Sequence, residues 1–262
     1  MYISIILPTF NSEKHIGETI KSVLTQTHSE FELIIIDDGS TDKTLNIITE
    51  FSEFDSRIKI VKVGQNSGCP AAPRNIGVQT SKYNWISFID SDDIWHSKKL
   101  EKQIEIIKTN PDILFISTEI INFRDLSRLK WPKNINDDKL IKFRNLLFKF
   151  RTPTSTVMVS KSLFAIQYFN EDIKYKARED LDLWLKFHEN IRYSYKIGMK
   201  LVAYRLSDNQ ISGNKFTMVK RHYNVLYNYQ LNNNFKLKYF SIIFTTTHFI
   251  IAFLDRLIKR SV

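Results

Sequence analysis

Short apolar runs alternate with amphipathic segments through the first part of the chain. The apolar runs predict four β-strands, at residues 3–7, 31–36, 58–63 and 85–89. Between them, Ile16, Ile20 and Val23 recur at helical spacing, and residues 42–51 predict a second helix. Strands that alternate with helices indicate βαβ units, in which a parallel sheet is covered on both faces.

The pattern becomes less regular after residue 96. Leu100, Ile104 and Ile107 predict another helix, which we expect to end before Asn110 and Pro111. Residues 122–150 are polar and basic, and they read as an irregular connection with helical pieces near residues 140–150. Further elements are expected as strands at 113–117, 155–159 and 201–206 and as a helix at 179–187.

The positive charge of the chain is concentrated at its end. The sequence has 38 basic and 28 acidic residues, which gives a formal net charge of +10. Residues 215–262 contain eight Lys and Arg residues but only one acidic residue, Asp255. An anionic partner is therefore expected for the C-terminal region more than for the rest of the chain.

The cysteine content and the N-terminal segment indicate the cellular compartment in which the protein is expected. Cys69 is the only cysteine, so an internal disulfide framework is excluded and a reducing compartment fits. The N-terminal segment MYISIILPTF is broken by Pro8 and lacks a basic start, which is typical of a buried strand and not of a signal peptide. We expect a cytoplasmic protein.

Two acidic turns follow predicted strands. Asp38 follows the second strand, and the stretch FIDSDDIW places Asp90, Asp92 and Asp93 after the fourth. Ligands bind beyond the carboxyl ends of the strands in open parallel sheets, so we expect both turns to share one cleft. Three carboxylates so close together suit a divalent cation such as Mg²⁺ or Mn²⁺. The alternative is an aspartate-rich turn that caps the next helix.

Four motifs together resemble the family 2 glycosyltransferases. They are PTFNSEKHIGETIKSVLTQTHSEFELIIIDDGSTDKT, NSGCPAAPRNIG, FIDSDDIW and REDLDLWLK. Their order and approximate spacing match that family over about residues 1–212. The resemblance implies a GT-A fold, which is an α/β fold with a mixed, mainly parallel sheet flanked by helices. It also implies a nucleotide-diphosphate sugar donor and inversion at the anomeric carbon.

The resemblance further implies a division of the chain. Residues 1–105 would form the nucleotide-sugar-binding half, and residues 106–212 would form the acceptor-binding and catalytic-base half of the same domain. Residues 213–262 would form a basic, amphipathic helical tail.

For the nucleotide part of the donor, the resemblance assigns five residues. Pro8 and Thr9 would line the nucleoside pocket, and Asp38 would hydrogen-bond the base. Arg74, in a shaped loop rich in Gly and Pro, would approach the base or the diphosphate, and Asp90 would bind the ribose. By the residues alone, a simple turn before the next helix is the favoured interpretation of Asp38, and Arg74 also fits a solvated surface position.

The remaining assignments concern the metal and the reaction. Asp92 would ligate Mn²⁺ or Mg²⁺, and Asp93 would lie close to the donor sugar. Asp180 would be the general base that takes the proton of the acceptor hydroxyl. Acidic residues are also favoured at the start of any helix, so Glu179 and Asp180 have a structural explanation, and Asp182 is a second candidate for the base.

The tail carries an apolar segment, YFSIIFTTTHFIIAFL, at residues 239–254. Its sixteen residues fall short of the ~20 that span a bilayer, and cations flank it. Two interpretations remain open: peripheral attachment to the inner face of the cytoplasmic membrane, or a helix packed on the domain or on the partner in a homodimer.

The leading hypothesis is a metal-dependent, inverting hexosyltransferase. It would move a hexose from a UDP-sugar to a hydroxyl of a glycan or a polyprenyl-diphosphate-linked saccharide, in O-antigen, capsule or lipopolysaccharide synthesis. Alternatives are a nucleotidyltransferase, which lacks its usual Gly-rich signature here, and a basic module that binds nucleic acid or membrane. The acidic cleft argues against nucleic acid as a partner.

Overall fold

A mixed nine-stranded sheet forms the centre of the molecule. The computed structural model describes residues 1–133, 135–148, 152–207 and 215–260. The strands are β1 Ile3–Thr9, β2 Phe31–Asp37, β3 Ile58–Lys62, β4 Trp85–Phe88, β5 Ile94–Trp95, β6 Phe115–Phe123, β7 Lys139–Ile141, β8 Met158–Ser160 and β9 Ser194–Arg205.

Four parallel strands make up the N-terminal half of the sheet. Their order is β3-β2-β1-β4, and the register pairs Ile5 of β1 with Leu33 of β2. Every residue of β1 and β2 is buried, because helices cover both faces of the sheet. The predicted βαβ organisation is confirmed for this half.

The C-terminal half mixes directions. Strand β8 is antiparallel to both β4 and β6, whereas β6 and β9 are parallel with register shifts around Glu119. The expectation of a strand at 201–206 was too short, because β9 begins at Ser194. In the connection at 122–150, the helical pieces expected near residues 140–150 are confirmed by a helix from Phe143 to Phe148, whereas strand β7 was not expected.

The helices lie on the two faces of the sheet and beyond its end. They are α1 Ile16–Leu24, α2 Thr44–Phe54, α3 Ala71–Thr80, α4 Lys99–Thr109, α5 Phe143–Phe148, α6 Glu179–His188, α7 Lys215–Asn228 and α8 Ser241–Arg260. One core cluster contains the buried side of α1 and α4, and the other contains that of α6 and α7. The helices predicted at residues 42–51 and 179–187 are confirmed.

Helix α3 corrects the expectation of a loop around Arg74. Pro73 lies in the first turn, where its missing N–H costs nothing, so the proline does not prevent the helix. Gly77 permits close packing on the sheet, since a Cβ at this position would lie 2.5 Å from a methyl carbon of Ile6. The residues that suggested a loop therefore allow a helix to approach β1 closely.

The C-terminal region is helical, as the sequence predicts. Helix α7 packs against α8, and α8 also contacts α5. No helix in the described ranges is both long and apolar enough to cross a membrane. The predicted boundary at 212/213, between the second half and the tail, lies outside the described residues.

Candidate active site

The carboxyl ends of β1, β2 and β4 lie at one edge of the sheet. Thr9 and Asp37 are partners in the register, and the backbone N–H of Asp38 donates to the carbonyl of Thr9 over 2.9 Å. Pro8 and Thr9 are both buried at the end of β1, and the hydroxyl of Thr9 has no hydrogen-bond partner. A buried polar atom without a partner is unusual and points to a ligand or water at this edge.

Asp38 is buried and its carboxylate is already engaged. It accepts hydrogen bonds from the backbone N–H and the hydroxyl of Ser67, and a longer one from the side-chain amide of Asn66. Burial raises the pKa of Asp38, and the bonds from Ser67 oppose the rise. The residue therefore holds the turn at 66–67 against the end of β2.

The acidic turn after β4 is anchored from beneath by Ser155. The backbone N–H of Asp90 donates to the Ser155 hydroxyl, which donates in turn to the carboxylate of Asp93 over 2.6 Å. Asp93 is fully buried, and its other oxygen accepts from the backbone N–H of Arg205. This placement gives Asp93 a structural contact on each oxygen.

Asp92, like Asp90, is a partly exposed acid of the turn. Burial, followed by the charge of Asp90, raises the pKa of Asp92 to about 6. A carboxylate whose ionisation is disfavoured by burial and by a neighbouring negative charge fits a site for a divalent cation with oxygen ligands. Within the described residues, no group of three or more His, Cys, Asp or Glu side chains is arranged to hold a metal ion. A cation here would therefore need ligands from a substrate or water, as Mg²⁺ often does.

Arg74 connects the acidic turn to the start of α6. One terminal nitrogen of its guanidinium lies 2.7 Å from Asp90, and the other lies 2.7 Å from Glu179. The arginine is buried, and both carboxylates raise its pKa against the effect of burial. Arg74 is thus close to the predicted donor residue Asp90, but both ends of its guanidinium are occupied by protein carboxylates.

Asp180 lies at the first turn of α6, next to Glu179. Burial first, and then the charge of Glu179, raise the pKa of Asp180 to about 6, while Arg178 and Arg74 oppose the rise. The hydroxyl of Thr154 lies 3.5 Å from its carboxylate. A carboxylate with a pKa near neutrality is suited to proton transfer.

Asp182, the other candidate for the base, is held elsewhere. Its carboxylate accepts from the side-chain amide of Gln167 over 2.9 Å, and it lines a cavity with Lys186 and Tyr229. Burial raises its pKa to about 6 as well, so the pKa does not separate the two acids. The positions of the two acids separate them. Asp180 follows Glu179, which Arg74 joins to Asp90 of the acidic turn, whereas Asp182 contacts Gln167.

A second cavity, of about 540 Å³, lies beside the acidic turn. Its wall includes Arg205, whose side chain donates to the backbone carbonyl of Asp92 and pairs with Glu18. The volume lies within the range of small-molecule sites. Arg205 is therefore positioned as a support of the turn from the end of β9.

Two residues that organise this site, Ser155 and Glu179, were not predicted from the sequence. Ser155 contacts both the backbone of Asp90 and the side chain of Asp93, and it lies on the antiparallel side of the sheet. Glu179 is the partner of Arg74. The ED pair was a visible signal for Glu179, whereas the serine within TPTST carried none, because its partners lie 62 and 65 positions away.

Comparison with known proteins gives consistent results. The family model described as Glycosyl transferase family 2 matches residues 4–171. The UDP-Glc:alpha-D-GlcNAc-diphosphoundecaprenol beta-1,3-glucosyltransferase WfgD of Escherichia coli is 35% identical over 227 residues, which cover 86% of this chain and 85% of the relative. WfaP of the same organism, with the same described activity, is 31% identical over 226 residues, which cover 86% and 85%.

The fold is similar to that of a solved structure. The crystal structure of S. aureus TarS 1-349 in complex with UDP superposes with a TM-score of 0.68 at 22% identity. The match covers 95% of this chain and 71% of that one. The mixed, mainly parallel sheet flanked by helices that the sequence predicts is thus confirmed as a GT-A fold.

Proposed function

The chain belongs to the family 2 glycosyltransferases, and on that premise we propose that it transfers a hexose from a UDP-sugar to a hydroxyl of a polyprenyl-diphosphate-linked saccharide, with inversion. The observation that carries this proposal is the arginine bridge from Asp90 to Glu179. It joins the acidic turn after β4 to Glu179, the residue that precedes the candidate base Asp180.

The two relatives from Escherichia coli support the substrates. Both are described as acting with UDP-Glc on a GlcNAc-diphosphoundecaprenol acceptor, and both are more than 30% identical to this chain. A UDP-hexose donor and a lipid-linked acceptor in surface polysaccharide synthesis, such as O-antigen or capsule, are therefore the substrate classes that we propose.

On the donor side, the buried edge formed by Pro8, Thr9 and Asp38 would receive the nucleoside. The hydroxyl of Thr9, which has no hydrogen-bond partner, would supply one polar contact to the nucleoside. The carboxylate of Asp38 keeps the turn at 66–67 in place. Asp90, which is partly exposed and fixed by Arg74, would bind the ribose. The bridge gives Arg74 a positioning role at the donor.

Asp92 would hold Mn²⁺ or Mg²⁺ together with the donor diphosphate. When bound, the ion would supply Lewis-acid stabilisation of the negative charge on the departing nucleoside diphosphate. Asp93 would act beneath the turn, because its contacts to Ser155 and to the backbone of Arg205 fix the position of Asp92.

On the acceptor side, Asp180 would take the proton of the attacking hydroxyl. A positioned carboxylate typically contributes ~10²–10⁴-fold to the rate of such a step. Burial, and then the charge of Glu179, raise the pKa of Asp180, which strengthens it as a base, while Arg178 and Arg74 limit the rise. The charged residues that shift the pKa of Asp180 in either direction are Glu179, Arg178 and Arg74.

A screen of sugar nucleotides tests the proposal. We expect UDP-sugars with Mn²⁺ to raise the melting temperature, and we expect one UDP-hexose to give a product of one added hexose by mass spectrometry with GlcNAc-diphosphoundecaprenol. GDP-sugars serve as the comparison set. Stabilisation and transfer with GDP-sugars but none with UDP-sugars would overturn the assignment of the donor.

A further inference from the structure

Helix α8 has an inverted distribution of polar and apolar side chains. Its buried side carries Ser241, Thr245 and His248, which are at most 7% exposed. Its outer side carries Ile242 and Ile243, which are 66% and 56% exposed. A helix at the surface of a soluble domain ordinarily turns its apolar stripe inwards. Packing against the domain therefore does not account for the apolar side of α8.

The exposed apolar residues lie along one stripe, which also includes the exposed Thr246. Within and just before α8, Tyr239, Ile242, Ile243 and Ile250 follow the spacing of a single helical stripe, and all four are exposed. Phe235 and Phe240 extend the surface at the preceding turn, with ring centroids 6.0 Å apart. We call this surface the C-terminal apolar face. Its members are Phe235, Tyr239, Phe240, Ile242, Ile243 and Ile250.

The inner side of α8 is fixed to the catalytic domain. The ring of His248 stacks on that of His222 in α7, with centroids 4.3 Å apart. Phe244 contacts Phe148 of α5 edge to face. The charge of Arg178 contributes to the lowered pKa of His222, after burial and His248. The apolar face is therefore the outer surface of a helical layer that adjoins the start of α6.

The charged residues around the C-terminal apolar face indicate which kind of surface it binds. Lys236 is exposed beside it, and the ammonium group of Lys238 lies 5.0 Å from the ring centre of Tyr239. The sequence between residues 215 and 254 contains no Asp or Glu. An exposed apolar strip with an aromatic residue and cations at its edge matches the interface of an anionic bilayer.

We propose that the C-terminal apolar face binds the surface of an anionic lipid bilayer, with its isoleucines in the acyl boundary and Lys236 and Lys238 among the headgroups. The inference rests on the proposed function only in one respect: a lipid-linked acceptor would be located in a membrane, where the enzyme would have to reach it. Bilayer binding is measured without donor or acceptor, so it can fail or succeed independently of transfer.

Flotation of the full-length protein with vesicles tests the inference. We expect binding to vesicles of phosphatidylcholine and phosphatidylglycerol in equal parts, and much weaker binding to phosphatidylcholine alone. The double variant Ile242→Ser/Ile243→Ser should reduce partitioning by about tenfold or more. Lys236→Gln and Lys238→Gln should each reduce it by about fivefold. Phe54→Ser, which removes a 90% exposed apolar residue of α2, should leave it unchanged.

Two further measurements separate the outcomes. Transfer to a short-chain, water-soluble acceptor should be the same for the wild type and the double serine variant, which shows that the variant is folded. Wild-type protein that does not float with anionic vesicles would overturn the inference. So would light scattering that shows a dimer in the wild type and a monomer in the variant without any vesicle binding, because the face would then belong to a second copy.

Discussion

The guanidinium of Arg74 lies 2.7 Å from the carboxylate of Glu179, although 105 positions separate the two residues in the sequence. Because Arg74 also binds Asp90, the bridge joins a helix on one side of the sheet, the turn after β4 and the start of α6. Arg74 thereby binds Asp90 directly and binds Glu179, the residue next to Asp180. Small movements of one half of the site would be transmitted to the other.

Replacement of Arg74 should affect stability and activity together. Arg74→Met leaves the buried carboxylate of Glu179 without a cation, and we expect the free energy of unfolding to fall by about 3–5 kcal/mol in urea titrations. Arg74→Lys cannot bridge two carboxylates with a planar fork, so we expect it to fold but to lose at least tenfold in kcat. Arg128→Met, which breaks a pair at the surface, is the control and should behave as wild type. Full activity of Arg74→Lys would contradict the positioning role.

The choice between Asp180 and Asp182 is testable by one matched pair of variants. Asp180→Asn should lower kcat by ~10²–10⁴-fold and leave the affinity for UDP in Mn²⁺ nearly unchanged, because only proton transfer is lost. Asp182→Asn should keep most of its activity, since its carboxylate contacts Gln167 instead of the cleft. Isothermal titration calorimetry and steady-state kinetics measure both. If the two results were exchanged, Asp182 would be the base.

The rate of transfer should depend on pH through Asp180. Its pKa is raised to about 6, and a general base must be ionised, so the rate should rise with pH through about 6 and level off above it. Glu179→Gln removes the neighbouring negative charge, which lowers the pKa of Asp180 and should move the acid limb to lower pH. Glu53→Gln, at an exposed position on α2, should not move it. If the acid side of the pH–rate profile were the same in Glu179→Gln as in the wild type, a group other than Asp180 would control the dependence of the rate on pH.

Asp92 and Asp93 are adjacent but should respond differently to substitution. Asp92→Asn removes a partly exposed charge, so it should abolish Mn²⁺-dependent UDP binding in calorimetry and leave the melting temperature close to that of the wild type. Asp93→Ala removes the acceptor for Ser155 and for the backbone of Arg205, and it should lower the free energy of unfolding by about 1–3 kcal/mol. Unchanged UDP affinity in Asp92→Asn would refute its role as a ligand of the metal.

The close approach of α3 to the sheet should make Gly77 intolerant of a side chain. A Cβ there would meet Ile6 at 2.5 Å and Ile36 at 2.9 Å, so Gly77→Ala should lower the free energy of unfolding by about 1–3 kcal/mol. Gly64→Ala is the control, because nothing lies within 4 Å of its added Cβ. Thermal unfolding of the two variants side by side gives the comparison, and equal melting temperatures would contradict the packing that we describe.

The sequence by itself determined the elements with strong local signals. Buried runs such as residues 31–36, the helical stripe of α1 and the acidic turns at 38 and 90–93 are each specified by neighbouring residues. The family motifs, which are also local in sequence, predicted the GT-A fold and the glycosyltransferase activity, and both are confirmed. The roles of the individual site residues stay predictions.

The tertiary structure decided which side of each element faces a partner. It placed Asp92 at the surface of the turn and Asp93 beneath it, since Ser155 and Arg205 approach from distant strands. It gave Arg74 two carboxylates, formed a helix where Pro73 and Gly77 suggested a loop, and turned the polar side of α8 inwards. Each of these depends on contacts between residues far apart in the chain, and such contacts leave no periodic pattern in the sequence.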